Sequence, residues 1–233
     1  YVFTVKDNTG KVFYDSTVAL RDAVDENGAD PALIRTLCQQ EGIISVARLN
    51  CFHDSYYGFS HMESAGICQS SGYIWYDNLS YYWLDPAKEQ ARDYIIDLAL
   101  ECARLGFDEL LLEEVTYPSS GKLEKIDYSG NELDKVQALT LFLTELREAL
   151  EPYDIRIALL VEEDALLDWE EGTMAETTGQ DMKQLLPLVD AVYVQTSDVE
   201  AAEAAVAGAA PEKTPALVPV TEEVLAAGNW YIS

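Results

Sequence analysis

Carboxylates are the residues in this chain best equipped to do chemistry, and a few of them stand where an apolar run ends. Glu113 and Glu114 interrupt the run Asp108–Tyr117, Glu162, Glu163 and Asp164 follow Ile155–Val161, and Asp7 follows Tyr1–Lys6. Two carboxyl groups facing each other across a scissile bond can divide the work, one protonated as acid, the other ionised as nucleophile or base. If the two longer runs are adjacent strands, they set Glu113 opposite Glu162 in this way. Side chains alternate along a strand, so regular geometry lets only one of Glu113 and Glu114 point inward. Adjacency alone is no signal. The chain has 42 acids among 233 residues and seven adjacent acidic pairs, where chance alone gives about 7.5. Position at a strand end is what singles these residues out.

Basic residues are scarce, 15 in all. Lys6 and Asp7 at the end of one apolar run, with Arg48 in another, could orient a ligand hydroxyl or carboxylate. Equally, Arg48 could form a structural ion pair with Asp7 or Glu113. The only histidines, His53 and His61, lie eight residues apart with no third ligand nearby, which gives little support for a metal site. Cys38, Cys51, Cys68 and Cys102 lack Cys-x-x-Cys spacing; Cys51 with Cys68 and Cys38 with Cys102 could pair, or all four could be free thiols. No G-x-S-x-G elbow, G-x-G-x-x-G or phosphate-binding loop occurs, so neither a serine nucleophile nor a nucleotide cofactor is expected. The expected cofactor and metal set is none.

A formal net charge of −27 repels phosphate backbones and anionic membranes, which argues against nucleic acid and leaves neutral polymers or cationic partners. No stretch approaches the ~20 apolar residues of a membrane span. The chain opens on Tyr1 without an initiator Met, so it reads as part of a longer protein whose targeting signals lie elsewhere.

The elements that must position these groups alternate. Strands are expected at Tyr1–Lys6, with a hairpin return at Lys11–Tyr14, then at Ile43–Phe52, Asp108–Tyr117, Ile155–Val161, Ala191–Gln195, Ala216–Val220 and Asn229–Ile232. Helices are expected at Ala32–Gln40, Ala87–Leu105, Glu132–Leu150, Gly179–Val189 and Val199–Ala207, several marked by Asp-Pro starts or Gly stops. The aromatic segment Asp54–Trp83, with a small hairpin at Tyr73–Asp77, is a long functional loop. Apolar strands separated by helices predict a single α/β domain over residues 1–233, a parallel sheet covered by helices. About seven strands fall on the ladder, one short of a TIM-type (β/α)8 barrel, with the first strand placed before Tyr1.

Trp83-Leu84-Asp85-Pro86 and the run Gly106-Phe107-Asp108-Glu109-Leu110-Leu111-Leu112-Glu113-Glu114-Val115-Thr116-Tyr117-Pro118 resemble the bacterial glycoside hydrolase-like domains of the DUF4015 type, which have a GH13-like TIM barrel. Their signatures are a W-x-x-P helix start and a strand reading G-F-D-E-I-Q-F-D-Y-V-R-F-P. Val5-Lys6-Asp7 with Gly10 and Tyr14-Asp15-Ser16, Gly42-Ile43 through Ala47-Arg48, and Gly179-Gln180 with Leu188-Val189-Asp190 are similar to further family segments. The resemblance implies an incomplete barrel and a secreted or envelope-bound bacterial protein acting on polysaccharide. It also implies that Glu113 occupies the place of the family's catalytic Asp, while Glu114 and Thr116 replace its Tyr and Arg. At Val192–Asp198 the family's Tyr-Pro is absent.

Glycoside hydrolysis takes two carboxyl groups, ~5 Å apart for double displacement and ~6.5–9.5 Å for single displacement. Glu113 and Glu162 are therefore the expected catalytic pair, and Lys6, Asp7, Arg48, Trp75, Trp83, Tyr117 and Gln195 the expected substrate-binding set. Trp75 and Trp83 lie where the family has Trp. Loop aromatics can stack on sugar faces or form a satellite core. Two functions follow: a glycoside hydrolase, its activity weakened or lost with the altered motif, or a catalytically inactive glycan-binding or structural module of a surface protein.

Overall fold

A computed structural model describes residues 1–221 and 231–232. Strand β1 (Val2–Lys6) turns back through Asp7–Gly10 into β2 (Val12–Tyr14), antiparallel to it, and β3 (Val24–Ala29) lies parallel to β2. Then come β4 (Val46–Asn50), β5 (Glu109–Glu113), β6 (Arg156–Val161), β7 (Ala191–Gln195), β8 (Ala216–Thr221) and β9 (Tyr231–Ile232). The sheet order is β3-β2-β1-β4-β5-β6-β7-β8-β9, and every pair from β1 to β9 is parallel. The expected seven-strand ladder is thus present, as an open sheet among the described residues. Asn229 and Trp230, expected in the last strand, lie outside those residues.

Burial explains the strands. All five residues of β5, Glu-Leu-Leu-Leu-Glu, are buried, as a strand covered on both faces demands. One face meets the helices: Leu49, Leu110, Leu112 and Leu159 pack with Phe142, Leu143 and Leu146. The other face is the barrel interior, where Val46, Leu111, Ala158 and Tyr193 meet. By strand alternation Arg48 and Glu113 continue this interior row at the C-terminal end.

The helices are α1 (Pro31–Cys38), α2 (Ser55–Ser60), α3 (Glu89–Leu105), α4 (Lys135–Leu150), α5 (Glu163–Leu167), α6 (Thr173–Thr178), α7 (Met182–Leu185) and α8 (Val199–Ala209). Asp30 caps α1 ahead of Pro31, Asp134 and Gln137 form a reciprocal capping box on α4, and Gly106 closes α3 at φ 92°. The helix expected over Gly179–Val189 is only α7 followed by a 3₁₀ turn, because Pro187 lacks the amide that would carry the α-helix onward. Strand β3 and helices α2, α5 and α6 have no counterpart in the sequence reading.

A register shift in β1 decides the fate of Lys6. Thr4 pairs with Arg48, but Lys6 pairs with Leu49, so two residues of β1 advance against one of β4. Lys6 thereby joins Leu49 on the helix side, fully buried, with Nζ 3.0 Å from Asp54 Oδ2 and donating to the Asn50 carbonyl at 2.9 Å. Gly10 packs against the same pair at φ 93°, where a Cβ would lie 2.1 Å from Asp54 Oδ1. Gly10→Ala is therefore expected to destabilise the protein by about 1–3 kcal/mol from backbone strain alone, and further through the clash. Urea denaturation checks this.

Candidate functional site

Above the C-terminal ends of β1, β4, β5 and β6 opens a cleft of about 610 Å³. Register brings its walls together: Asn50 at the end of β4 pairs with Glu113 at the end of β5, and Leu112 pairs with Leu159 of β6. Asp7, Arg48, Glu113 and Glu162, all anticipated from sequence, line this one cleft. Arg48 Nη2 lies 2.8 Å from Glu113 Oε1. Glu113 is 8% exposed, faces the interior and is held by this pair. Glu162 follows β6, exposed, at the start of α5.

Glu114 also lines the cleft, against the expectation that only one of the two adjacent glutamates could face it. The reason is backbone conformation. Strand β5 stops at Glu113, and Glu114 adopts φ 51°, one of two non-glycine residues with positive φ among those described. A left-handed conformation costs a side-chain-bearing residue roughly 1–2 kcal/mol, and surrounding structure has to enforce it. Here Cys51 N donates to the Glu113 carbonyl at 2.8 Å and Phe52 N to the Glu114 carbonyl at 3.4 Å, pinning both peptides. Alternation fails at this point, and consecutive side chains enter one space.

Burial first, then the nearby charges of Glu113, Glu162 and Asp77, push the Glu114 carboxyl up to about 6. The folded protein therefore holds a proton that the unfolded chain releases near 4.5. Stability is lost as pH rises through that window, and the penalty is complete above about 6. Glu114→Gln removes it. Relative to wild type, this variant is expected to gain about 1–2 kcal/mol between pH 4 and pH 7. Urea melts at both pH values measure the difference.

Five of the anticipated substrate-binding residues are not brought to this cleft. Lys6 is turned away by the β1 register shift. Trp75 is 1% exposed, with Nε1 donating to the Lys122 carbonyl at 3.0 Å. Trp83 stacks on His53 at 4.4 Å and donates to Asp77 Oδ2 at 3.1 Å. Tyr117 is buried, its hydroxyl donating to Asp85 Oδ1 at 3.1 Å. The segment expected as a loop over Asp54–Trp83 packs Ala65, Ile67, Trp75 and Trp83 into the main core, with Phe59, Tyr73 and Tyr76 left exposed. Gln195 ends β7, exposed, one strand beyond the cleft wall. The four cysteines are free thiols.

Sequence reasoning missed Glu114, Asn50, and the wall that α6 builds with Met174 and Thr178. The signal for Asn50 was available, as a polar residue closing an apolar strand beside Glu113. Nothing in a Glu-Glu pair announces a left-handed second residue.

The chain matches over residues 1–203 the DUF4015 family model, described as "Putative glycosyl hydrolase domain". No curated protein matches it. Among solved structures, a hypothetical protein from Ruminiclostridium thermocellum superposes with a TM-score of 0.57 at 24% identity, covering 67% of this chain and 81% of that one. The glycoside hydrolase domain of PgaB (BpsB) from Bordetella bronchiseptica gives 0.62 at 16% identity, covering 94% and 73%. That of PelA from Pseudomonas aeruginosa gives 0.53 at 13%, covering 94% and 82%. At these identities the likenesses speak to fold, which is α/β of the TIM-barrel type.

Proposed function

The chain belongs to this family of glycosyl hydrolase domains, and we propose that it cleaves a polysaccharide by a two-carboxylate mechanism in the cleft above β5 and β6. The observation that carries this reading is that Glu113 and Glu114 enter one cleft in unlike environments: Glu113 is clamped by Arg48, while Glu114 is half-buried without such a pair. Neighbouring carboxyls whose surroundings push them apart are how such a site holds acid and base at one pH.

Glu114, protonated below about pH 6, donates a proton to the departing glycosidic oxygen. Glu113, paired with the Arg48 guanidinium, acts as nucleophile or as base toward water. Glu162 stands across from them on the next strand, where its charge favours the protonated form of Glu114. Relative to the sequence expectation, Glu114 takes the place of Glu162 in the catalytic pair. The protein would work at or outside the bacterial cell envelope, where such polymers lie.

The purified domain should be screened against a polysaccharide panel for both binding and reducing-sugar release, with Glu113→Gln alongside. Release that disappears in the variant supports catalysis. Binding without release, unchanged by the substitution, would mean an inactive glycan-binding module.

A further inference from the structure

Resting on that reading, the composition of the cleft says what kind of sugar it takes. Its charged lining consists of Asp7, Glu113, Glu114 and Glu162 against the single cation Arg48, and Arg48 is already paired with Glu113 at 2.8 Å. Whatever enters therefore meets an uncompensated negative field with no free guanidinium or ammonium to greet an anion. A second, independent feature points the same way. Asn50 is 2% exposed and lines the cleft beside Glu113, and its Oδ1 is a buried acceptor without a hydrogen-bond partner. A buried acceptor left unsatisfied is unfavourable, and a ligand N–H or O–H satisfies it.

We propose that the substrate is a polymer of amino sugars with free amines, a cationic hexosamine glycan, and that Asp7, Glu162 and Asn50 recognise the ammonium-bearing residue. An ammonium is a compact charge with three donors and no acceptor. It matches a site offering carboxylates and an amide oxygen. A uronic acid would place like charges together, and an N-acetylated sugar would bring no charge to offset the field.

The test is calorimetric titration of the full chain at pH 6 and 150 mM salt with a glucosamine tetramer, an N-acetylglucosamine tetramer, a galacturonate tetramer and a lysine tetrapeptide. Bulk acidity is controlled by a double variant far from the cleft, Asp22→Asn with Glu26→Gln, which removes the same charge as Asp7→Asn with Glu162→Gln. The glucosamine tetramer is expected to bind at least ten-fold more tightly than the other three. Asp7→Asn with Glu162→Gln should cost ten-fold or more, Asn50→Ala several-fold, and the distant double variant less than two-fold. Equal binding of the lysine peptide, equal losses from the two double variants, preference for either other sugar, or no binding of any sugar would overturn the proposal. Reducing-sugar release from neutral or uronate polymers, abolished by Glu113→Gln, would overturn only the amino-sugar assignment and leave the hydrolase reading standing.

Discussion

Glu113→Gln is expected to lower reducing-sugar release by about 10²–10⁴-fold, the usual worth of a positioned general acid or base, while leaving the fold intact. Glutamine keeps the shape and an acceptor for Arg48, so the partner is not left bare. What disappears is the carboxylate paired with Arg48 at 2.8 Å. Glu114→Gln is expected to match it in size and differ in kind. Wild-type activity should decline above about pH 6, where the acid loses its proton, whereas residual turnover in Glu114→Gln should lose that limb. Initial rates across pH 4–8 for wild type and both variants check this. A loss confined to KM in either variant would mark the residue as a binding group rather than a participant.

Lys6→Met is expected to destabilise the protein by about 3–5 kcal/mol, the cost of leaving one charge of a buried pair alone. Both partners have fully buried side chains. Asp54 also accepts from Tyr57 N at 2.8 Å as the cap of α2, so it cannot simply turn away. Adding Asp54→Asn to Lys6→Met should recover roughly half of the loss, because asparagine keeps the capping oxygen and sheds the charge. Urea unfolding of the single and double variants measures this. Cooperative unfolding with no loss in Lys6→Met would show that the pair contributes nothing. The pair also ties the exit of β4 to β1 through the Asn50 carbonyl, so the cleft floor depends on it.

The parallel ladder was legible because buried strands write themselves as apolar runs: Leu110-Leu111-Leu112 and Ile157–Val161 need no alternation when both faces are covered. Arg48, Asp7, Glu113 and Glu162 were legible because the C-terminal ends of such strands converge. Strand β3 was not, since Val-Asp-Glu-Asn-Gly-Ala has neither an apolar face nor alternation. Helices α5 and α6, of five and six residues, are too short to show a period. Lys6 was misplaced by a one-residue shift in β1, and a shift of one exchanges the two faces. Trp75 and Trp83 were drawn toward a sugar by residue type and by the resemblance, whereas Gly121 lets the chain close over Trp75. Glu114 required a left-handed residue where sequence statistics put glycine.

Carbon-detected NMR titration of the glutamate side-chain carboxyls, in wild type and in Glu114→Gln, bears most directly on the division of labour between Glu113 and Glu114. One carboxyl titrating near pH 6 in the wild type and missing from the variant is the predicted result. A Glu114 carboxyl that titrates at or below the ordinary glutamate value would contradict it, for Glu114 would then carry no proton to donate.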